Sequence, residues 1–131
     1  MTTKNFFIFQ AFVCLAYVIP LLLAPDFFIN LSAFSKIDMT SKLVNISRGF
    51  ATALIGIGVA SFMVRAAVPS LARRGFFVLA FVANTLVTIV NALSILRGDQ
   101  NSTTWITVLL TALLAVWSGW LWSKDKGLAL A

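Results

Sequence analysis

The sequence predicts an all-α fold: a polytopic membrane protein whose four transmembrane helices form one bundle, with both termini in the cytoplasm. Hydrophobic residues make up 60% of the 131 residues and charged residues only 11%, less than half the ~25% charged share of an ordinary soluble domain. The apolar residues fall into four runs, each near the roughly 20 residues that cross a hydrocarbon core of about 30 Å. The length predicts a single domain, residues 1–131.

The first span is expected over about residues 5–24, and we interpret it as a retained helix rather than a cleaved signal peptide. Pro25 ends it, because proline cannot continue the hydrogen bonding of a helix. The connection that follows carries four apolar side chains at helical spacing: Phe27, Phe28, Leu31 and Phe34. Residues of about 26–36 are therefore either a short amphipathic helix at the outer membrane surface or a loop packed against the bundle.

The other three spans are expected over about residues 41–67, 70–97 and 103–123. Thr40 or Ser41 can cap the second span, and Gly98 can end the third. The turns after the second and third spans are short. We therefore expect antiparallel helix hairpins at both turns.

The charges that flank the spans predict the orientation, because basic residues favour the cytoplasmic side of a membrane. Six basic residues belong to the side that holds both termini: Lys4, Arg65, Arg73, Arg74, Lys124 and Lys126. Four belong to the other side: Lys36, Lys42, Arg48 and Arg97. We therefore expect cytoplasmic termini, and a bacterial inner membrane as the location.

Arg48 is a charge within an apolar run, in the outer third of the second span. A charge at the bilayer centre costs ~2.5–3.5 kcal/mol on insertion scales, but a long guanidinium at this depth can reach the interface. Two interpretations stay open. Arg48 either contacts water and lipid phosphate, or it binds a partner group such as Asp26 or Asp38.

A polar face runs along the third span, where Asn84, Thr88 and Asn91 are spaced four and three residues apart and so share one side of a helix. Asparagine in lipid is costly unless paired, so this face is expected to point into the bundle or toward a partner. Other spans place polar side chains at comparable depth: Tyr17, Thr107 and Thr111. These residues either converge on an outward-facing pocket or act only as interhelical hydrogen bonds.

Small residues form a second pattern, on the second span. Their spacing of four, three and four places them on one helix face: Gly49, Ala53, Gly56 and Ala60. Small residues let helix backbones approach closely in membranes, so this face is expected to be a helix-packing seam. It meets either another span or another protein. Gly58 lies off this face.

The residue inventory excludes several classes of chemistry. The chain has no histidine, one cysteine and four acidic residues, all of which are aspartates outside the apolar runs. We therefore expect no metal site and no catalytic residues. The net charge of +6 comes from residues at the span ends rather than from a basic patch, so nucleic acid is not an expected partner. Nothing in the sequence indicates which cofactor, if any, is bound.

The second span opens as Ser47-Arg48-Gly49 and closes near Arg65, and a proline closes the first span. With the chain length and the four spans, this layout resembles the small bacterial four-helix membrane proteins grouped as DoxX-like, over most of the chain. The resemblance implies the same membrane fold. Some members of that group look like small subunits of membrane oxidoreductases. The resemblance carries no functional residue over to this chain.

These patterns lead to three hypotheses about function. The first is a non-catalytic accessory or assembly subunit, which packs against the helices of other membrane proteins, or against itself as an oligomer, and against lipids or pigments of the bilayer. The second is a small oligomeric transporter or channel with a polar path along the third span. The third is a lipid- or quinone-binding enzyme subunit.

Overall fold

A computed structural model of the protein describes residues 2–33, 35–38 and 40–125, and their regular structure is helical. The helices, in chain order, are α1 (Thr3–Leu23), α2 (Pro25–Ser32), α3 (Ser41–Val64), α4 (Leu71–Leu96), a 3₁₀ turn (Ser102–Thr104) and α5 (Trp105–Lys124). Four of them, α1, α3, α4 and α5 with its preceding turn, are long and apolar enough to cross a membrane. This architecture confirms the predicted all-α fold and is that of an integral membrane protein.

Local signals set the helix ends. Thr40 caps α3 and Ser70 caps α4, each hydroxyl accepting the backbone N–H three residues on at 3.3 Å, as expected of N-cap residues. Gly98 has φ +80°, a conformation that glycine adopts without strain, and its N–H donates to the Ile95 carbonyl at 3.0 Å. The predicted starts and stops of the spans therefore hold to within a few residues.

The connection after α1 is a helix of eight residues, shorter than the predicted 26–36 segment. Pro25 begins this helix rather than only ending α1, since its missing N–H is not needed at a first helical position. Phe28 turns inward, and its ring meets Tyr17 edge-on at 5.7 Å. Phe27 is 68% exposed, so the apolar face is split between bundle and surroundings. Phe34 and Lys126 lie outside the described residues.

The four long helices pack as two antiparallel pairs, α1 with α3 and α4 with α5, and α1 also contacts α5. The expected hairpin of α4 and α5 is present. The helices α3 and α4 diverge instead of packing side by side, although only a short turn joins them. We call the end of the bundle with Thr3, residues 65–70 and Lys124 the terminal end. The opposite end, with α2 and residues 97–104, is the loop end.

An aromatic cluster joins the two pairs at the terminal end. Phe6 and Phe7 of α1 and Phe77 of α4 are fully buried. The rings of Phe7 and Phe77 stack at 5.0 Å, and Phe6 meets Trp117 of α5 edge-on at 5.5 Å. Such contacts add about 0.5–1.5 kcal/mol per pair beyond area burial. The cluster closes the bundle where α3 and α4 come from the same turn.

The predicted packing seam on α3 does not pack within the chain. A Cβ placed on Gly49 or Gly56 meets nothing within 4 Å, and Ala53 is exposed. A Cβ on Gly58 would lie 3.2 Å from Cys14 Cβ and 3.7 Å from the Ala11 carbonyl oxygen. Close approach to α1 therefore uses the opposite side of α3, which buries Ser47, Ala51, Gly58 and Ser61.

An ion pair links α4 to the end of α5. Arg73 Nε and Nη2 donate to the two carboxylate oxygens of Asp125 at 3.0 and 2.9 Å. Arg73 Nη1 also donates to the Ala67 carbonyl at 2.8 Å. The exposed fractions of the two side chains are 12% and 3%, so this bidentate pair holds the turn between α3 and α4 against α5 away from solvent.

Candidate functional site

A cavity of about 600 Å³ lies between the two helix pairs, in the half of the bundle toward the loop end. Its volume falls within the roughly 300–1,000 Å³ of small-molecule sites. The fold explains its position. The aromatic cluster joins the pairs at the terminal end, α3 and α4 diverge from their shared turn, and α2 packs across the loop end.

The lining of this pocket is mostly apolar and holds no charged side chain among the described residues. Six of its polar side chains come from α1, α4 and α5: Gln10, Tyr17, Asn84, Asn91, Thr107 and Thr111. Four more lie at the loop end: Ser32, Gln100, Thr103 and Thr104. The other walls come from hydrocarbon and aromatic side chains of α2, α3 and α4, such as Phe28, Leu54 and Val87. We call the six residues the polar wall.

Two primary amides form the deep end of the polar wall. Gln10 and Asn84 are 6% and 7% exposed. Asn84 Nδ2 donates to the Ala80 carbonyl at 2.8 Å and to Gln10 Oε1 at 3.4 Å. Gln10 Nε2 reaches only the Cys14 thiol, at 3.8 Å. Since thiol sulfur is a weak acceptor, this amide pair keeps hydrogen-bonding capacity that the protein itself does not use.

Hydroxyl groups continue the polar wall toward the loop end. The Tyr17 and Thr107 hydroxyls lie 2.6 Å apart. Each carries one hydrogen, so one of them donates to the other and the second hydrogen stays available. Thr88 lies behind the wall, 2.8 Å from the Thr111 hydroxyl. Thr88 and Thr111 also reach backbone carbonyls of their own helices at 2.8 Å, as membrane helices commonly satisfy threonine.

The pocket opens sideways, between α3 and α4. Phe50 on α3 and Leu86 and Val90 on α4 line the cavity, yet they are 54%, 57% and 60% exposed. Side chains that are both lining and exposed form a rim, which Leu31 of α2 and Ile106 of α5 continue toward the loop end at 50% and 70% exposed. Because α3 and α4 are long and apolar enough to cross a membrane, this rim belongs to the apolar outer surface of the bundle.

Asn101 anchors α2 over the loop end of the pocket. Its side-chain amide donates to the carbonyls of Leu31 and Ala33, both at 2.9 Å. Its backbone N–H donates to the Ser32 carbonyl at 2.8 Å. Gln100, the next residue back, lines the cavity, and its buried Oε1 has no hydrogen-bond partner among the described residues.

No family model, curated protein or solved structure matches this chain. The DoxX-like resemblance therefore stays a prediction, and the site is interpreted from its own geometry. Among the described residues, no group of three potential metal-binding side chains comes together. The polar wall offers amides and hydroxyls, which bind and orient neutral groups by hydrogen bonding.

Most of the predicted polar residues meet in one place. Tyr17, Asn84 and Asn91 line the pocket, with Asn91 Nδ2 donating to the Val87 carbonyl at 2.8 Å. Thr88 forms an interhelical hydrogen bond with Thr111 behind the wall. Arg48 lies apart from the pocket; it is exposed, and the one ion pair among the described residues joins other side chains.

Sequence reasoning did not single out Gln10, whose side-chain amide forms the deep end of the pocket with Asn84. A signal existed. Gln10 is a polar residue within an apolar run, and it precedes Tyr17 by seven residues, two helix turns. Phe9 and Phe12 flank Gln10 closely, so the apolar character of this segment dominates its pattern.

Proposed function

We propose that this protein is a non-catalytic accessory subunit of the membrane that binds an apolar molecule taken from the bilayer. The observation that carries the proposal is the pocket: about 600 Å³, free of charged lining among the described residues, and rimmed by exposed apolar side chains of α3 and α4. A site open to hydrocarbon fills by lateral diffusion of lipid-soluble molecules, so its occupants are lipids, quinones or pigments rather than water-soluble metabolites.

The outward face of α3 supports the accessory part of this proposal. A Cβ added to Gly49 or Gly56 meets nothing within 4 Å among the described residues, and Ala53 is exposed; a smooth helix surface of this kind suits close packing against a helix of another protein. Arg48 lies at the loop end of the same helix and supplies an orienting charge at the membrane surface. The partner is another membrane protein or a second copy of this chain.

The proposed location is a bacterial inner membrane with both termini in the cytoplasm. The described ends share one end of the bundle, since Thr3, Lys124 and Asp125 line one small cavity there. The basic residues Arg65, Arg73 and Arg74 belong to the same end, which supports a cytoplasmic assignment. In this orientation the pocket lies in the outer half of the membrane.

A transporter or channel has less support from the geometry. The polar wall ends at Gln10 and Asn84, and the aromatic cluster of Phe6, Phe7 and Phe77 occupies the way from there to the terminal end. A polar path through one chain would have to cross that buried cluster. We therefore keep the binding subunit as the proposed function.

The single cysteine of the chain gives a direct test, because Cys14 lines the pocket. The protein is delipidated in detergent, and the rate at which N-ethylmaleimide modifies Cys14 is followed by intact mass before and after a total membrane lipid extract is added back. We expect the extract to slow modification at least fivefold. An unchanged rate contradicts occupation of the pocket. The control is a variant with Cys14→Ala and Ile19→Cys, whose single cysteine lies on the lipid-facing surface. It reports any effect of lipid on the reagent itself.

A further inference from the structure

We propose that the pocket selects a lipid whose headgroup is uncharged and carries hydroxyl or carbonyl oxygen, and that the headgroup is held by the polar wall while the chain leaves between α3 and α4. This inference rests on the proposed binding function and adds the chemical class of the ligand. Phospholipids and other charged amphiphiles are excluded from the site.

The described lining of the pocket offers no charged partner to a ligand. A phosphate or ammonium group that leaves water must be paired, since an unpaired buried charge is very costly. The described lining residues include no arginine, lysine or aspartate. Arg73 and Asp125 bind each other at the terminal end, and Arg48 is exposed outside the pocket. A charged headgroup therefore finds no partner inside.

The amides of Gln10 and Asn84 have hydrogen-bonding capacity that the protein does not use fully. Gln10 Nε2 donates only to a thiol at 3.8 Å, and the amide–amide contact of Asn84 with Gln10 is long at 3.4 Å, against about 2.9 Å for a well-formed bond. Both residues are more than nine-tenths buried. A pure hydrocarbon would leave these amides poorly satisfied, whereas a hydroxyl or carbonyl oxygen completes them, and the spare hydrogen of the Tyr17–Thr107 pair adds one more donor.

The rim fixes the path of the ligand's hydrocarbon chain. On α4, Asn84 and Asn91 lie on a different helix face from Leu86 and Val90, which border the opening together with Phe50. A ligand with its oxygen atoms on the wall has its apolar part directed at this opening. A long chain then continues into the bilayer between α3 and α4, which diverge there, and no polar group of the ligand lies in the hydrocarbon.

Photolabelling with a matched set of probes tests the inference. Four octadecyl probes carry the same diazirine in the chain and differ only in the headgroup: a primary alcohol, a primary amide, a trimethylammonium and a sulfonate. Each is incorporated at equal mole fraction into nanodiscs that hold the full chain. After irradiation, peptide mass spectrometry measures the label on the pocket segments of α3 and α4 and, as a reference, on the outward face of α3.

We expect the alcohol and the amide to label the pocket segments at least tenfold more than the two charged probes, and all four probes to label the reference face alike. Equal pocket labelling by all four overturns the headgroup selection but leaves lipid binding intact. Pocket labelling by none of them contradicts the proposed function as well. Selection of a charged probe also overturns the inference.

Variants locate the selection within the polar wall. Gln10→Leu and Asn84→Leu are each expected to lower the pocket labelling by the alcohol probe at least threefold while the reference face is unchanged. Asn45→Leu is the matched control, because Asn45 is exposed on α3 and does not line the pocket. Full labelling in both wall variants would show that the amides do not hold the headgroup.

Discussion

The hydroxyl groups of Tyr17 and Thr107 lie 2.6 Å apart and connect α1 to α5 across the loop-end half of the bundle. At the terminal end, the rings of Phe6, Phe7, Phe77 and Trp117 connect the same two helix pairs. The pairs are therefore joined at both levels, and the pocket extends from the aromatic cluster past the Tyr17–Thr107 bond to α2 at the loop end. The same hydroxyl pair is a structural bond and part of the ligand-facing wall.

The Tyr17–Thr107 bond is expected to contribute modestly to stability. Interhelical hydrogen bonds in membrane proteins average about 0.6 kcal/mol and reach about 1.7 kcal/mol, and this one is short. We expect a coupling free energy in that range from a double-mutant cycle of Tyr17→Phe and Thr107→Val, measured by SDS-induced unfolding in mixed micelles. Additive effects of the two substitutions would show that the bond contributes nothing.

Gly58 is expected to be far more sensitive to substitution than Gly56. A Cβ at Gly58 already lies 3.2 Å from Cys14 Cβ, whereas one at Gly56 meets nothing within 4 Å. Gly58→Val separates α1 from α3 and lowers the free energy of unfolding by about 1–3 kcal/mol, the usual cost of overpacking. Gly56→Val has the same helix propensity change and serves as the control. Equal losses in the two variants would contradict the packing face assigned to α3.

Gly56→Val also tests the outward face of α3 as a docking surface. If another membrane protein packs there, the variant keeps its stability but loses that protein during affinity purification in a mild detergent. Ile55→Val, a substitution on an exposed α3 residue that lies about 100° or more around the helix from the small-residue face, should retain it. A complex that survives Gly56→Val places the docking surface elsewhere.

The ion pair of Arg73 and Asp125 is expected to stabilise the terminal end. Removing one member of a buried pair leaves the other charge uncompensated, at a cost of about 3–5 kcal/mol. We expect Arg73→Gln to lower the free energy of unfolding by about 3 kcal/mol, whereas Arg74→Gln, which forms no ion pair among the described residues, changes it by less than about 0.5 kcal/mol. Similar effects of the two substitutions would mean that the pair is energetically neutral.

Asn101 is expected to hold α2 in place over the pocket. Asn101→Ala removes the side-chain bonds to Leu31 and Ala33, so residues 35–38 should become easier to cleave. Trypsin cleavage after Lys36, followed by mass spectrometry in nanodiscs, is expected to accelerate several-fold. Asn45→Ala is the control, since Asn45 is an exposed residue of α3. An unchanged cleavage rate would show that α2 is anchored by its apolar contacts.

The extent and order of the spans follow from the sequence, because length and apolar composition dominate the energetics of crossing a membrane. Capping residues such as Thr40 and Ser70 and the turn at Gly98 then place the helix ends. Counting residues from the membrane surface also placed Asn84 near the midplane and Asn91 nearer the outer end of the same helix face. These features depend on one helix at a time.

Which faces meet depends on pairs of helices, and here the sequence was insufficient. Gly49, Ala53 and Gly56 form a more regular pattern than Gly58 with Ser61, yet α1 packs on the second set, because the contact is decided by the shape of α1 around Ala11 and Cys14. α3 and α4 diverge because each packs on a different helix, α3 on α1 and α4 on α5. A pocket formed by that divergence is not visible in any one helix.

Native mass spectrometry of the full chain released from nanodiscs tests most directly whether the pocket binds a lipid. Val87→Trp and Val82→Trp are the matched variants of α4. Val87 lines the pocket, and Val82 is exposed outside it. We predict a bound neutral lipid on the wild-type chain and on Val82→Trp, and its loss from Val87→Trp, whose indole projects into the cavity and obstructs the ligand. Equal lipid occupancy of the two variants, or none on the wild-type chain, would contradict the assignment of this pocket as a lipid site.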